Sequence, residues 1–134
     1  MTDPFKPVSC VTDGVRISVQ TLYIPEQSSP ETQTYVFAYR ITIRNESDSY
    51  VQLMRRQWDI VEALGEKRVV QGEGVVGQQP VLAPNEDYSY VSGCVIRQPI
   101  GQMSGFYTMV RLKDQFAFPV VIPAFALVIP PLNN

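Results

Sequence analysis

Histidine is absent from this chain of 134 residues, and that gap closes more chemistry than any motif in it opens. Without an imidazole the Ser-His-Asp and Cys-His arrangements are excluded, as is imidazole ligation of a metal. Cysteine is scarce too. Cys10 and Cys94 stand far apart in no C-x-x-C pair, too few for a disulfide framework or a four-thiolate zinc site. They read as reduced thiols of a cytoplasmic protein. Cys94 has no histidine or adjacent lysine to activate it, so it reads as structural. Charge is sparse at 18%, and the net charge of -2 argues against a nucleic-acid binder. No acidic run has calcium-loop spacing. The N-terminus lacks the charged-then-apolar plan of a signal peptide. The uncharged stretch from Gln115 onward is interrupted by Pro119, Pro123, Pro130 and Pro131, which argues against a membrane-spanning helix. Carboxylates, lysine, tyrosine and thiol remain for catalysis, and the carboxylates fall at strand ends and turns. These absences predict a protein that is not an enzyme and takes no cofactor or metal.

What is present is β-strand pattern. A chain of this length fits one domain, residues 1–134, with a flexible N-terminal segment over 1–11. Val15, Ile17, Val19, Thr21 and Tyr23 alternate with Arg16, Ser18, Gln20 and Leu22, the signature of a strand with one buried face. Pro25 to Gln33 is a polar loop. Tyr35 to Ile43 alternates again, and Asn45 to Asp48 is a turn leading to a third strand, Tyr50 to Ile60, expected to pair back as a hairpin. Trp58, Val61 and Leu64 have helical spacing, but the alternation Met54, Arg56, Trp58, Ile60 favours strand. Gly65 marks a hairpin turn into Lys67–Gln71, followed by a long loop from Gly72 to Pro84. Glu86 to Val91 resumes alternation, Ser92-Gly93-Cys94 bends the chain, and Arg97 to Gln102 is another loop. Phe106 to Leu112 and Phe116 to Ile122 form a hairpin around Lys113-Asp114, with a last short strand over Ala124–Ile129. Seven to nine short strands without a helix predict an all-β, antiparallel β-sandwich of the fibronectin-III or immunoglobulin kind.

The candidate site lies in the long loop. Gly72, Gly74 and Gly77 have G-x-G-x-x-G spacing. That motif cradles a pyrophosphate only where a helix opens behind it, and Pro80 and Pro84 forbid one. A structured glycine loop is the plainer reading, and an anion nest built from its amides the sharper one. Glu73 between two of the glycines could meet a cation but would repel phosphate. Arg55 and Arg56 could add an anion contact, although adjacent strand residues face opposite sides, so only Arg56 shares a face with Trp58. Six of the eleven basic residues fall from Arg40 to Arg68, interleaved with Glu46, Asp48, Asp59, Glu62 and Glu66, which describes a solvated mixed face. Trp58 and the tyrosines Tyr35, Tyr39, Tyr88, Tyr90 and Tyr107 are expected in the core. Val36 and Ala38, on the polar face of their strand, leave room for a homodimer through exposed sheet.

Five segments together resemble the bacterial ApaG family, also called CorD, over nearly the whole chain. They are Arg56-Gln57-Trp58, Gly72 through Leu82, Tyr90-Val91-Ser92-Gly93-Cys94, Met103 through Met109, and Ile122-Pro123-Ala124-Phe125. The resemblance implies a fibronectin-III-like sandwich and no established enzymatic activity. It also implies an association with cobalt and magnesium tolerance, and with genetic neighbours that act on diadenosine polyphosphates and ribosomal RNA. Eukaryotic relatives occur as domains fused to F-box proteins and in a DNA-polymerase-interacting protein, which points to a protein partner. Where that family usually carries Arg-His-Trp, this chain has Gln57, so no role for that histidine carries over. The expected function is a non-catalytic binding module for a protein partner. The alternative is pyrophosphate or nucleotide binding through Gly72, Glu73, Gly74 and Gly77 with Arg55 or Arg56.

Overall fold

A computed structural model describes residues 7–130 as two antiparallel sheets packed face to face. Strands β1 (Val8–Thr12), β2 (Val15–Tyr23), β3 (Tyr35–Asn45) and β7 (Asp87–Ile96) make the first sheet, in the order β1-β2-β3-β7. Strands β5 (Lys67–Glu73), β4 (Val51–Glu62), β8 (Ile100–Arg111) and β9 (Phe116–Val128) make the second. The two-residue β6 (Val81–Leu82) pairs with the start of β4. The sequence alternation of β2 translates directly into burial: Val15, Ile17, Val19 and Thr21 face inward. The expected sandwich is what the chain forms. Among the described residues no helix is long and apolar enough to cross a membrane.

Several local expectations need correction. Strand β1 begins at Val8, inside the stretch expected to be flexible, while residues 1–6 lie outside the described residues. Residues 45–50 do not close a hairpin: β3 pairs with β2 and β7, β4 with β5, β6 and β8, so the chain crosses there from one sheet to the other. A bulge between Leu53 and Arg55 then changes which parity faces the core. Val51 and Leu53 point inward before it, and Trp58 and Ile60 after it. Gly93 does not bend the chain, since β7 runs unbroken through it. Nor does Pro123 divide two strands: β9 runs through it at a sheet edge where a missing N–H is tolerated, and a register shift opposite Met103–Gly105 absorbs it.

The sandwich closes on one long side and stays open on the other. On the closed side β1 lies against β9: the Cys10 thiol donates to the Val121 carbonyl at 3.4 Å, and the Val121 amide to Thr12 Oγ1 at 3.2 Å. On the open side stand β7 and β5, each the last strand of its sheet. Cys10 and Cys94 therefore occupy opposite edges of one sheet, three strand spacings apart, which alone is about 14 Å. That is beyond the reach of a disulfide.

Candidate functional site

The open side forms a groove between β5 and β7. Two adjoining hollows of about 310 and 220 Å³ share Tyr39, Arg56, Trp58 and Ser92 in their walls. The floor is rigid. The rings of Tyr39, Trp58 and Phe125 brace one another with centroids 5.4 to 5.8 Å apart, Trp58 edge-on to both neighbours. Trp58 and Tyr39 are core residues, as expected, at the floor of this groove. Its rims carry exposed valines: Val70 on β5, Val91 and Val95 on β7, and Val76 in the connection behind β5.

Register fixes what the β4–β5 wall presents. Arg56 is paired with Gly72, Trp58 with Val70, and Ile60 with Arg68. Read along the groove this is a cationic row, an apolar row and a second cationic row. Arg56 lies across Gly72, where any Cβ would meet the guanidinium at 2.8 Å. It donates to the carbonyls of Glu73 at 3.0 Å and Gly74 at 2.8 Å. Arg68 reaches over the groove to the Val95 carbonyl at 2.5 Å and to the Cys94 sulfur at 3.7 Å. Among the described residues neither arginine has a carboxylate within ion-pair distance.

The glycine segment is narrower than its sequence suggested. Gly72 and Glu73 belong to β5, and the excursion begins at Gly74. At φ +63° Gly74 occupies left-handed space, and an added Cβ would lie 2.2 Å from the Gln78 carbonyl oxygen. Val75 is buried and exchanges two backbone hydrogen bonds of 2.8 Å with Gln78. Val76 and Gly77 between them both have positive φ, the geometry of a type I′ turn. The Gly74 amide donates to the Met54 carbonyl at 2.8 Å. The amides of Gly74, Val75 and Gln78 are thus committed, and the Arg56 guanidinium turns toward carbonyls. Of the residues proposed from sequence, Arg56, Gly72, Gly74 and the Glu73 carbonyl come together, while Glu73 itself is the cross-strand partner of Arg55. Arg55 is exposed on the opposite face of β4, and Gly77 sits at the exposed turn tip.

Val76 is the conspicuous misfit. A β-branched residue at φ +47° is strained by about 1–2 kcal/mol, and this one is also 62% exposed. Val76→Asn, which gives the Asn-Gly pair that I′ turns favour, is expected to stabilise the protein by about 1 kcal/mol in urea unfolding. Sequence reasoning missed Val76, Arg68 and the free side of β7. The available signal was the run from Tyr88 to Ile96, which lacks both charge and proline.

Burial pushes the Cys94 thiol up, against the opposing pull of the Arg68 guanidinium, so it stays protonated and unreactive near neutrality. Beneath Arg56 the hydroxyls of Tyr90 and Tyr107 share a 2.5 Å hydrogen bond that joins β7 to β8. Burial pushes both phenols above their ordinary range. In the unfolded chain each would ionise near pH 10, while the folded state holds its proton beyond that. The contribution of these two phenols to stability is therefore level below about pH 9 and falls above about pH 10, by about 1.4 kcal/mol per pH unit for each retained proton. Denaturant midpoints between pH 8 and 11 check this. Replacing both tyrosines by phenylalanine is expected to lessen the decline, and what remains comes from Cys94 and Tyr39, which burial also raises.

A sequence model described as the ApaG domain matches residues 25–111, a span that contains Tyr39, Arg56, Trp58, Arg68 and all of β7. The chain is 51% identical to a Citrobacter koseri protein named ApaG over 118 residues, covering 88% of this chain and 94% of that one. It is 48% identical to an Escherichia coli protein of the same name, with the same coverage. A solved Bordetella pertussis structure described as ApaA superposes with a TM-score of 0.85 at 41% identity, over 94% of this chain and 100% of that one.

Proposed function

This chain belongs to the ApaG domain family, and from that premise we propose a non-catalytic binding module that docks a protein partner along the open side of the sandwich. One observation carries the reading. Strand β7 is the edge of its sheet, and from Tyr88 to Ile96 it has neither a charge nor a proline. Edges exposed in this way are normally blunted by charge, proline or a covering segment, because their free N–H and C=O groups recruit other strands. Val91 and Val95 add exposed apolar surface beside it.

A photo-crosslinking side chain at Val91, in cells expressing the protein, is expected to capture a discrete protein partner. The same side chain at Ser18, toward the closed side, is expected to capture none. Identical products from both positions would reject the open side as the docking surface.

The pyrophosphate or nucleotide reading has weaker support. It needs several unpaired amides converging beside a cation, whereas the amides of Gly74, Val75 and Gln78 are bonded within the protein. Titration with pyrophosphate or ATP is expected to leave the amide resonances of Gly72 to Gly77 unmoved at millimolar ligand. Saturating shifts confined to those residues would reinstate that reading.

A further inference from the structure

We infer that the groove accepts an extended acidic segment of a protein, added as a strand beside β7, with acidic residues at positions i and i+4 and an apolar residue at i+2. The inference rests on the docking reading above and names the chemistry that would fill the site.

Three observations converge. The first is the free edge. Arg68 bonds the Val95 carbonyl from outside the sheet, so that carbonyl points away from β3. Hydrogen bonding alternates along an antiparallel strand, so the backbone groups of Gly93 and Val91 point the same way. An added strand would find the outward groups of Val91 and Gly93 there, and at Val95 it would take the carbonyl over from Arg68. Gly93 also lets another backbone approach, and internal packing does not demand it: the nearest atom to an added Cβ is the Phe37 carbonyl oxygen at 3.4 Å.

The second observation is charge. Arg56 and Arg68 bond backbone carbonyls and, for Arg68, a sulfur. Each guanidinium carries five N–H donors, so both keep donors for a carboxylate. The facing β7 contributes no charge between Tyr88 and Ile96. Between the two arginines the groove is therefore cationic; the next acid on this wall, the buried Glu62, lies one row beyond Arg68 and accepts from the Arg97 and Gln98 amides.

The third is spacing. Arg56 and Gly72, Trp58 and Val70, and Ile60 and Arg68 form successive inward-facing rows two residues apart. The two cationic rows are thus about 13 Å apart along the strand, with Val70 over Trp58 midway. An extended peptide repeats its facing side chains at the same interval. Acid, apolar, acid at every second residue matches cation, apolar, cation.

The test uses the intact protein, isotopically labelled, and the blocked peptide Thr-Glu-Thr-Val-Thr-Glu-Thr. We expect saturating amide shifts along Val91 to Val95, with a dissociation constant on the order of 100 μM. The lysine analogue, Thr-Lys-Thr-Val-Thr-Lys-Thr, should leave them unmoved. Arg68→Glu should weaken binding at least about tenfold. Val91→Pro, which removes an outward N–H while leaving the β3 pairing intact, should do the same with the spectrum otherwise native. Equal binding of the lysine peptide, shifts mapped elsewhere, or no shifts at millimolar peptide would overturn the inference. So would line-broadening at β7 that grows with protein concentration alone, since a second copy would then be the occupant. If Val91 crosslinks a partner while the acidic peptide stays silent, the docking reading survives and this one falls.

Discussion

Gly105→Ala is expected to cost about 4 kcal/mol and to lower the thermal midpoint by about 15 °C. Gly105 lies in β8 opposite Trp58 of β4, beside the register shift toward β9. A Cβ built there lies 2.0 Å from the carbonyl oxygen of Gln57 and 3.0 Å from its carbon. No side chain can rotate away, because the obstacle is backbone of a strand bonded on both sides. Two central strands would have to part by more than about 1 Å, breaking ladder hydrogen bonds and loosening Trp58 against Tyr39 and Phe125. Gly93→Ala is the control: it meets only an ordinary contact at 3.4 Å and should stay within about 0.5 kcal/mol of wild type. Equal midpoints for the two variants would show that the β4–β8 spacing relaxes freely.

The strands were legible where one face is buried and the other wet. The alternation of β2 and β3 is a direct record of burial, and Val15 and Tyr23 bound β2 as the sequence reading did. Features that depend on partners in space left weaker traces. Whether Asn45 to Tyr50 folds back or crosses over is decided by which sheet receives β4, and the local sequence is equally turn-like either way. Gly93 in mid-strand has the appearance of a bend, and Pro123 of a chain break. Each is compatible with an edge strand, and edge status is a property of the assembled sheet. One signal was overlooked: Asp13-Gly14, with φ of 47° and 79°, is the I′ turn pair that joins β1 to β2.

The candidate site was legible in its parts and not in its arrangement. Arg56 sharing a face with Trp58 followed from alternation. Arg68 did not stand out, because its partner rows depend on the β4–β5 register and its reach to Val95 on the fold. The glycine spacing drew attention to backbone amides, yet three of those amides are paired and the cation beneath them faces carbonyls. The segment's lasting contribution is a shaped edge: Gly72 makes room for Arg56, Gly74 allows the sharp exit from β5, and Val76 is held outward at the tip.

Asn45 carries the other large expected effect. It is fully buried at the point where the chain leaves β3 for the opposite sheet. Its Nδ2 donates to the carbonyls of Ser49 at 2.8 Å and Leu82 at 3.0 Å. Its Oδ1 accepts from the Ser47 amide at 3.0 Å and the Ser47 hydroxyl at 2.6 Å. One amide group thereby fixes the crossover turn and pins β6, which anchors the far end of the Gly74–Pro80 excursion. Asn45→Ala strands several of these partners away from water and is expected to cost about 3 kcal/mol. Asn45→Asp keeps the shape but turns an anion toward two carbonyls. Burial and those carbonyls would raise the folded-state pKa of the new carboxyl above its unfolded value near 3.9. Stability would then be retained at low pH and lost as pH rises through the folded pKa. Urea unfolding at pH 4 and pH 7 should show the aspartate variant closer to wild type at the lower pH, with alanine equally weak at both. Faster amide exchange at Leu53, which donates to Pro80 at 3.0 Å, would trace the loss to the excursion itself. A pH-independent aspartate variant would instead mean that water reaches the site and that Asn45 is no buried clamp.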